Sequence, residues 1–182
     1  AADVISGVNT DHLIFERLLS DQGPNAEFNI DLIASGSGPI TATLSWTDPK
    51  GRVESVNVLN NQASKLVNDL DMRISNGSQT YFPWILDPAN PSLAATKGDN
   101  TRDNVEKIII NNPVAGAEYA LKISHKRSLD RASQAFSLIV SGIKNSTEGN
   151  PDASEILVSP NPAPGAFNIQ FLATAPEEVS VS

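Results

Sequence analysis

Apolar residues in this chain recur at every second position, not every third or fourth, and that period admits few folds. From Glu27 to Ala34, Phe28, Ile30 and Leu32 alternate with polar neighbours until Gly36-Ser37-Gly38-Pro39 breaks the run. Ile40 to Trp46 reads as a second strand. It closes on Asp48-Pro49-Lys50-Gly51, whose Asp, Pro and Gly stand where a type I turn prefers them. Leu70 to Ile74 alternates cleanly, and Asn76-Gly77 predicts a hairpin into Thr80-Tyr81-Phe82. Val53 to Leu59, Val105 to Ile110, Tyr119 to His125 and Phe136 to Val140 supply further strands, the first with a less regular register. Asp11 to Leu19 admits a short helix capped by Thr10 or Asp11, but the loop-like Asp21-Gln22-Gly23-Pro24-Asn25 after it favours a strand. About eight strands separated by Gly, Pro and Asn turns, with no helical pattern between them, predict an all-β protein: an antiparallel β-sandwich or jelly roll.

Composition divides the chain and narrows its partners. The 182 residues are enough for one main domain and a smaller piece. Residues 1–25 form an N-terminal strand or a junction to a preceding domain, and 26–143 the sandwich. Residues 144–155, rich in Asn, Ser, Thr and Glu, carry too little apolar surface to pack and read as a linker. Ile156-Leu157-Val158-Ser159-Pro160-Asn161-Pro162 then opens a short β segment over 156–182, continued by the alternating Phe167, Ile169 and Phe171. It offers two strands at most, and an isolated hairpin is marginal in water. With 21 acidic against 13 basic residues, a formal charge of −8, nucleic acid and anionic membrane surfaces are poor partners, since both attract Lys and Arg patches. The chain has no Cys, which excludes disulfides, thiolate catalysis and Cys-based zinc sites. No apolar run is long enough to span a bilayer, and the N-terminus lacks a signal-peptide pattern, so an exported form is expected to be part of a longer precursor.

Two acidic, amide-rich segments stand out: Leu66-Val67-Asn68-Asp69-Leu70-Asp71-Met72 and Gly98-Asp99-Asn100-Thr101-Arg102-Asp103-Asn104-Val105-Glu106. Asp69 and Asp71 flank Leu70, and Asn104 and Glu106 flank Val105, so each pair shares one face of a strand. Calcium takes six to eight oxygens from carboxylates, amides, carbonyls and water, and one acidic run seldom provides them all. If the two strand starts are neighbours at one end of the sandwich, Asp48, Asp69, Asp71, Asn104 and Glu106 converge on a structural Ca²⁺, with Asp103 in reserve. In the competing arrangement Asp99, Asn100 and Asp103 make a solvated turn, while Asp69 and Asp71 pair with Arg73 or Arg102.

Catalysis finds little footing. Serine proteolysis needs a nucleophile, a His base and an acidic orienter. The chain has only His12 and His125, and no Gly-x-Ser-x-Gly or comparable frame surrounds a Ser. Trp84, in Tyr81-Phe82-Pro83-Trp84, admits another function, a sugar-stacking platform shared with Tyr81 or Phe82, as in a carbohydrate-binding or adhesion module. Packing over a sheet edge or against another domain explains those aromatics equally well, and Trp46 is expected in the core.

Taken in order, Ala42-Thr43-Leu44-Ser45-Trp46-Thr47-Asp48-Pro49, Leu66-Val67-Asn68-Asp69-Leu70-Asp71, Asp103-Asn104-Val105-Glu106 and Phe136-Ser137-Leu138-Ile139-Val140-Ser141-Gly142 resemble the C-terminal β-sandwich domain of secreted subtilisin-like (S8 family) serine proteases. The match covers residues 26–143. It implies a jelly roll related to the P domain of proprotein convertases, packed on the catalytic domain of the same precursor and often carrying calcium. The implied role is non-catalytic: bracing the catalytic domain or assisting with a protein substrate. Ile156 to Phe171 resembles the opening of a type IX secretion sorting domain, marked by Ser159-Pro160-Asn161-Pro162. That system belongs to Bacteroidota, so the resemblance implies a bacterial protein secreted or held at the outer-membrane surface, with the secretion machinery as a partner. A sorting domain normally runs further than Ser182 and ends in a basic segment.

Overall fold

The computed structural model describes residues 12–53, 59, 61–77 and 79–144. Within these residues eleven strands follow one another: β1 (His12–Ser20), β2 (Phe28–Ala34), β3 (Ile40–Trp46), β4 (Leu70–Asn76), β5 (Gln79–Tyr81), β6 (Trp84–Ile85), β7 (Thr96–Lys97), β8 (Val105–Ile110), β9 (Glu118–His125), β10 (Ser133–Ser141) and β11 (Ile143–Lys144). Among the described residues the only helical element is a 3-10 turn at Asp130–Ala132. The ambiguous N-terminal stretch is strand, β3 and β8 have the bounds that their alternation predicts, and Asn76-Gly77 turns β4 into β5, with Asn76 opposite Gln79. Of the expected strand from Val53 to Leu59, residues 54–58 lie outside the described residues. So do all but the first residue of the 144–155 linker and the whole 156–182 segment.

The strands form a four-stranded sheet, in the order β1-β10-β3-β8, and a five-stranded sheet, in the order β11-β2-β9-β4-β5, with every pair antiparallel. Short β6 and β7 pair with each other. Side chains alternate across each strand. In β3, Ile40, Ala42, Leu44 and Trp46 point inward while Thr41, Thr43 and Ser45 face out. They meet Leu70, Met72 and Ile74 of β4 and Leu121 and Ile123 of β9 in one core shared by both sheets. At one side of that core Phe28 of β2 contacts Phe15 of β1 and Phe136 of β10, with ring centroids 5.4 and 5.7 Å apart. Such tilted pairs add about 0.5–1.5 kcal/mol each beyond the area they bury.

The chain crosses from one sheet to the other between β10 and β11, and only glycine fits there. Gly142 has φ 79°, and a Cβ on it would lie 2.0 Å from the Pro39 carbonyl oxygen, in the backbone that leads into β3. Strain and a clash that no side chain can relieve act together. Gly142→Ala is therefore expected to cost about 3 kcal/mol, a fall of roughly 10 °C in Tm. An unchanged melting temperature would show that the 39–40 backbone yields freely.

Candidate functional site

The residues expected to meet at a metal belong to two separate constructions. The first ties the strand ends together through Trp46, Asp48, Asn68 and Asn104. Asp48 spends both carboxylate oxygens on backbone: Oδ2 accepts the Val67 N–H and Oδ1 the Asn68 N–H, each at 2.8 Å. The Trp46 indole Nε1 donates to the Asn68 carbonyl at 3.0 Å. Asn104 brackets Trp46: its Nδ2 donates to the Trp46 carbonyl at 2.6 Å, and its own carbonyl accepts the Trp46 N–H at 3.1 Å. Buried Asn68 in turn donates from Nδ2 to Gln134 Oε1 at 2.7 Å and accepts the Asp130 N–H at 2.7 Å. Buried polar groups need such partners, and here each belongs to a different segment of the chain. A shallow cleft of about 370 Å³ beside this network is lined by Thr47, Asp48, Lys65, Leu66, Arg102 and Asn104.

Asp103 belongs to neither construction. It is exposed, in a turn organised by Asn100, whose Oδ1 accepts the Arg102 and Asp103 N–H groups at 3.2 and 3.3 Å.

The second construction gathers Asp69, Asp71 and Glu106, and adds Asp99, Arg73 and Lys126. The register of β4 against β9 pairs Leu70 with His125, which brings Lys126 beside Asp69; the Lys126 N–H donates to the Asp69 carbonyl at 3.1 Å. From there the Lys126 ammonium reaches three carboxylates: Asp99 Oδ2 at 2.8 Å, Asp71 Oδ1 at 3.1 Å and Asp69 Oδ2 at 3.5 Å. Arg73 also bridges, donating to Asp71 Oδ1 at 3.0 Å and to Asp99, while its guanidinium lies 4.8 Å from the centre of the Phe82 ring. The Asp71–Arg73 pair of the competing arrangement is thus present, whereas Arg102 turns instead to the Gln62 carbonyl.

Glu106 projects inward from β8, is fully buried, and crosses to the opposite sheet. Peptide groups of alternate residues point the same way along a strand, so Met72 faces the side on which β5 lies. But β5 ends at Tyr81, opposite Ile74, and Glu106 Oε2 accepts the Met72 N–H at 2.6 Å. A carboxyl side chain thereby stands in for a ladder partner. Its other oxygen, Oε1, and Asp69 Oδ1 are buried with no hydrogen-bond partner. Burial pushes Glu106 up to about 8, opposed by the Met72 N–H and assisted by the nearby Asp71 charge. Burial, reinforced by the hydrogen bond to Asp99, pushes Asp71 up to about 6; burial also raises Asp69. For Asp99 burial works against the charge, yet hydrogen bonds from Lys126, Asp71 and Arg73 outweigh it and hold the group at about 2. Glu106 is therefore a neutral acid at pH 7, and Asp71 takes up a proton well before Asp99 does.

This set does not suit a calcium ion as it stands. Asp48 and Asn104, two of the expected donors, are committed to backbone, and Asp103 lies apart. Of the others, Asp69 and Asp71 share the Lys126 ammonium with Asp99, and among the described residues no group of three or more acidic or histidine side chains is placed to hold a metal ion. At 4 Å and an effective dielectric of 20, a divalent ion and that ammonium would repel by about 8 kcal/mol. The orphaned oxygen of Asp69 has the right chemistry for a cation, but that carboxylate is already paired with Lys126.

The signal for Lys126 was present in Ser124-His125-Lys126-Arg127, a cationic pair at a strand end, but only the β4–β9 register shows which acids it meets. The aromatics of the Tyr81–Trp84 stretch each have a neighbour of their own, Tyr81 lying 6.3 Å from the Tyr119 ring. Trp84 is 40% exposed, but the Lys97 ammonium sits 3.7 Å from the centre of its ring, and Arg73 covers Phe82. The two histidines also lie apart in use: His125 bonds the Arg127 carbonyl through Nδ1 at 2.7 Å, and His12 begins β1. Compared with known proteins, the sequence matches no protein-family model and no curated protein.

Proposed function

We propose that this chain is a non-catalytic accessory domain of an exported subtilisin-like serine endopeptidase, a jelly roll that braces the catalytic domain of its precursor or helps it hold a protein substrate. One observation carries the reading. The segments around Trp46, Asn68 and Asn104, whose order in the sequence gives the resemblance, are hydrogen-bonded to one another, and Gln134 at the start of the closing β10 joins them. Residues engaged in this way fix strand ends, which suits a structural role for them. The strand orders β1-β10-β3-β8 and β11-β2-β9-β4-β5 support this reading, since a jelly roll interleaves its strands between two sheets in such an order. The expectation of export rests on the sequence of the 156–171 segment.

The purified chain is expected to leave labelled casein intact and to escape labelling by a fluorophosphonate probe of activated serines; labelling would overturn the non-catalytic reading. Sequencing the parent reading frame upstream of Ala1 tests the rest. A subtilisin-type Asp, His and Ser set there supports the assignment, and its absence removes it.

A further inference from the structure

We infer that the Lys126 ammonium takes the place of a structural calcium ion in this domain, so that an internal ion-pair clamp, not a metal, locks its acidic end. The inference stands on the geometry of the cluster and does not depend on the protease assignment. Three carboxylates from separate places, Asp69 ahead of β4, Asp71 within it and Asp99 just beyond β7, converge on one nitrogen at 3.5, 3.1 and 2.8 Å. An ammonium has three N–H donors, one for each. Carboxylates brought together in this way need a compensating cation, and here a side chain of the same chain supplies it, while among the described residues no group of three or more acidic or histidine side chains is placed to hold a metal ion.

Lys126 is also held from behind. Its backbone N–H is fixed on the Asp69 carbonyl, and its side chain is only 30% exposed, so the charge is aimed and partly shielded from water. Arg73 repeats the bridge between Asp71 and Asp99. Together the two cations tie the stretch that carries β6 and β7, which ends at Asp99, to the β4–β9 pair. Sequence separation hides the clamp: its acids lie in the two segments that read as a calcium site, while its cation lies beyond β9.

Thermal unfolding of the full chain, at matched ionic strength with added calcium chloride or with EDTA, is the decisive measurement. The native chain is expected to melt at the same temperature in both. Lys126→Met should melt well below it and should become responsive, rising with calcium and falling with EDTA, because the vacated carboxylates then accept the ion. Lys126→Arg should retain most of the native stability and remain indifferent to calcium. A native chain that is stabilised by calcium overturns the inference. So does a Lys126→Met protein that melts like the native one, or one that is destabilised yet still ignores calcium. Should Lys126→Met fail to fold, the response of the native chain decides alone.

Discussion

At pH 9, Glu106→Gln is expected to withstand more urea than the native chain, whereas at pH 4 the two should unfold at nearly the same concentration. The sign follows from proton binding. Glu106 titrates near 4.5 when exposed and near 8 in the folded protein, so between those values the folded state holds a proton that the unfolded state has released. Its contribution is intact below pH 4.5 and is lost progressively as pH rises to about 8. Each unit of that window costs about 1.4 kcal/mol, so the full loss is several kcal/mol and of order 5 at most. Glutamine keeps an acceptor for the Met72 N–H but has nothing to ionise, which flattens the alkaline limb. Asp71 contributes in the same direction up to about pH 6, and Asp99 in the opposite one, its support fading as pH falls from 3.8 toward 2. Both are shared by the two proteins and largely cancel in the comparison. Parallel stability curves for variant and native chain from pH 4 to 9 would refute the buried-acid account of Glu106.

Trp46→Ala should be the most damaging single change in the strand-end network. It empties a large core site, which costs about 3–5 kcal/mol for a buried aromatic. It also leaves the Asn68 carbonyl without its indole donor, at about 1–3 kcal/mol for an unpaired buried group. A loss of at least about 4 kcal/mol consumes much of the 5–15 kcal/mol that a domain has in total. Trp46→Phe separates the two effects, since it keeps most of the volume and removes only the N–H; about 1–3 kcal/mol is expected. Circular dichroism through a urea titration measures both. A cost below 1 kcal/mol for Trp46→Ala would mean that the network does not hold the strand ends.

The fold was legible because one face of nearly every long strand is buried and the other wet. In β3 and β8 the alternation alone sets both ends, since core packing and solvent agree at each position. Strands of two residues, β6, β7 and β11, carry no period, and only their partners define them. The candidate site was half legible. Alternation correctly puts Asp69 and Asp71 on one face, but it says nothing of Lys126, which arrives through the register of β9. Asp48 shows a different limit. Its place ahead of Pro49 suggests a turn, while its carboxylate answers to Val67 and Asn68, residues whose proximity no local pattern encodes.

The pairing of β1 with β10 also decides how the domain bears load. His12 lies opposite Ser141, so the polypeptide enters and leaves these two strands at the same end of the pair. Tension between the flanking segments would act on the His12–Ser141 end and, once β11 had come away from β2, peel the strands apart one rung at a time. Shear, in which all the rungs resist together, would require the pull at opposite ends. A tether built this way is stiff while folded but gives way from one end, at the modest force of unzipping.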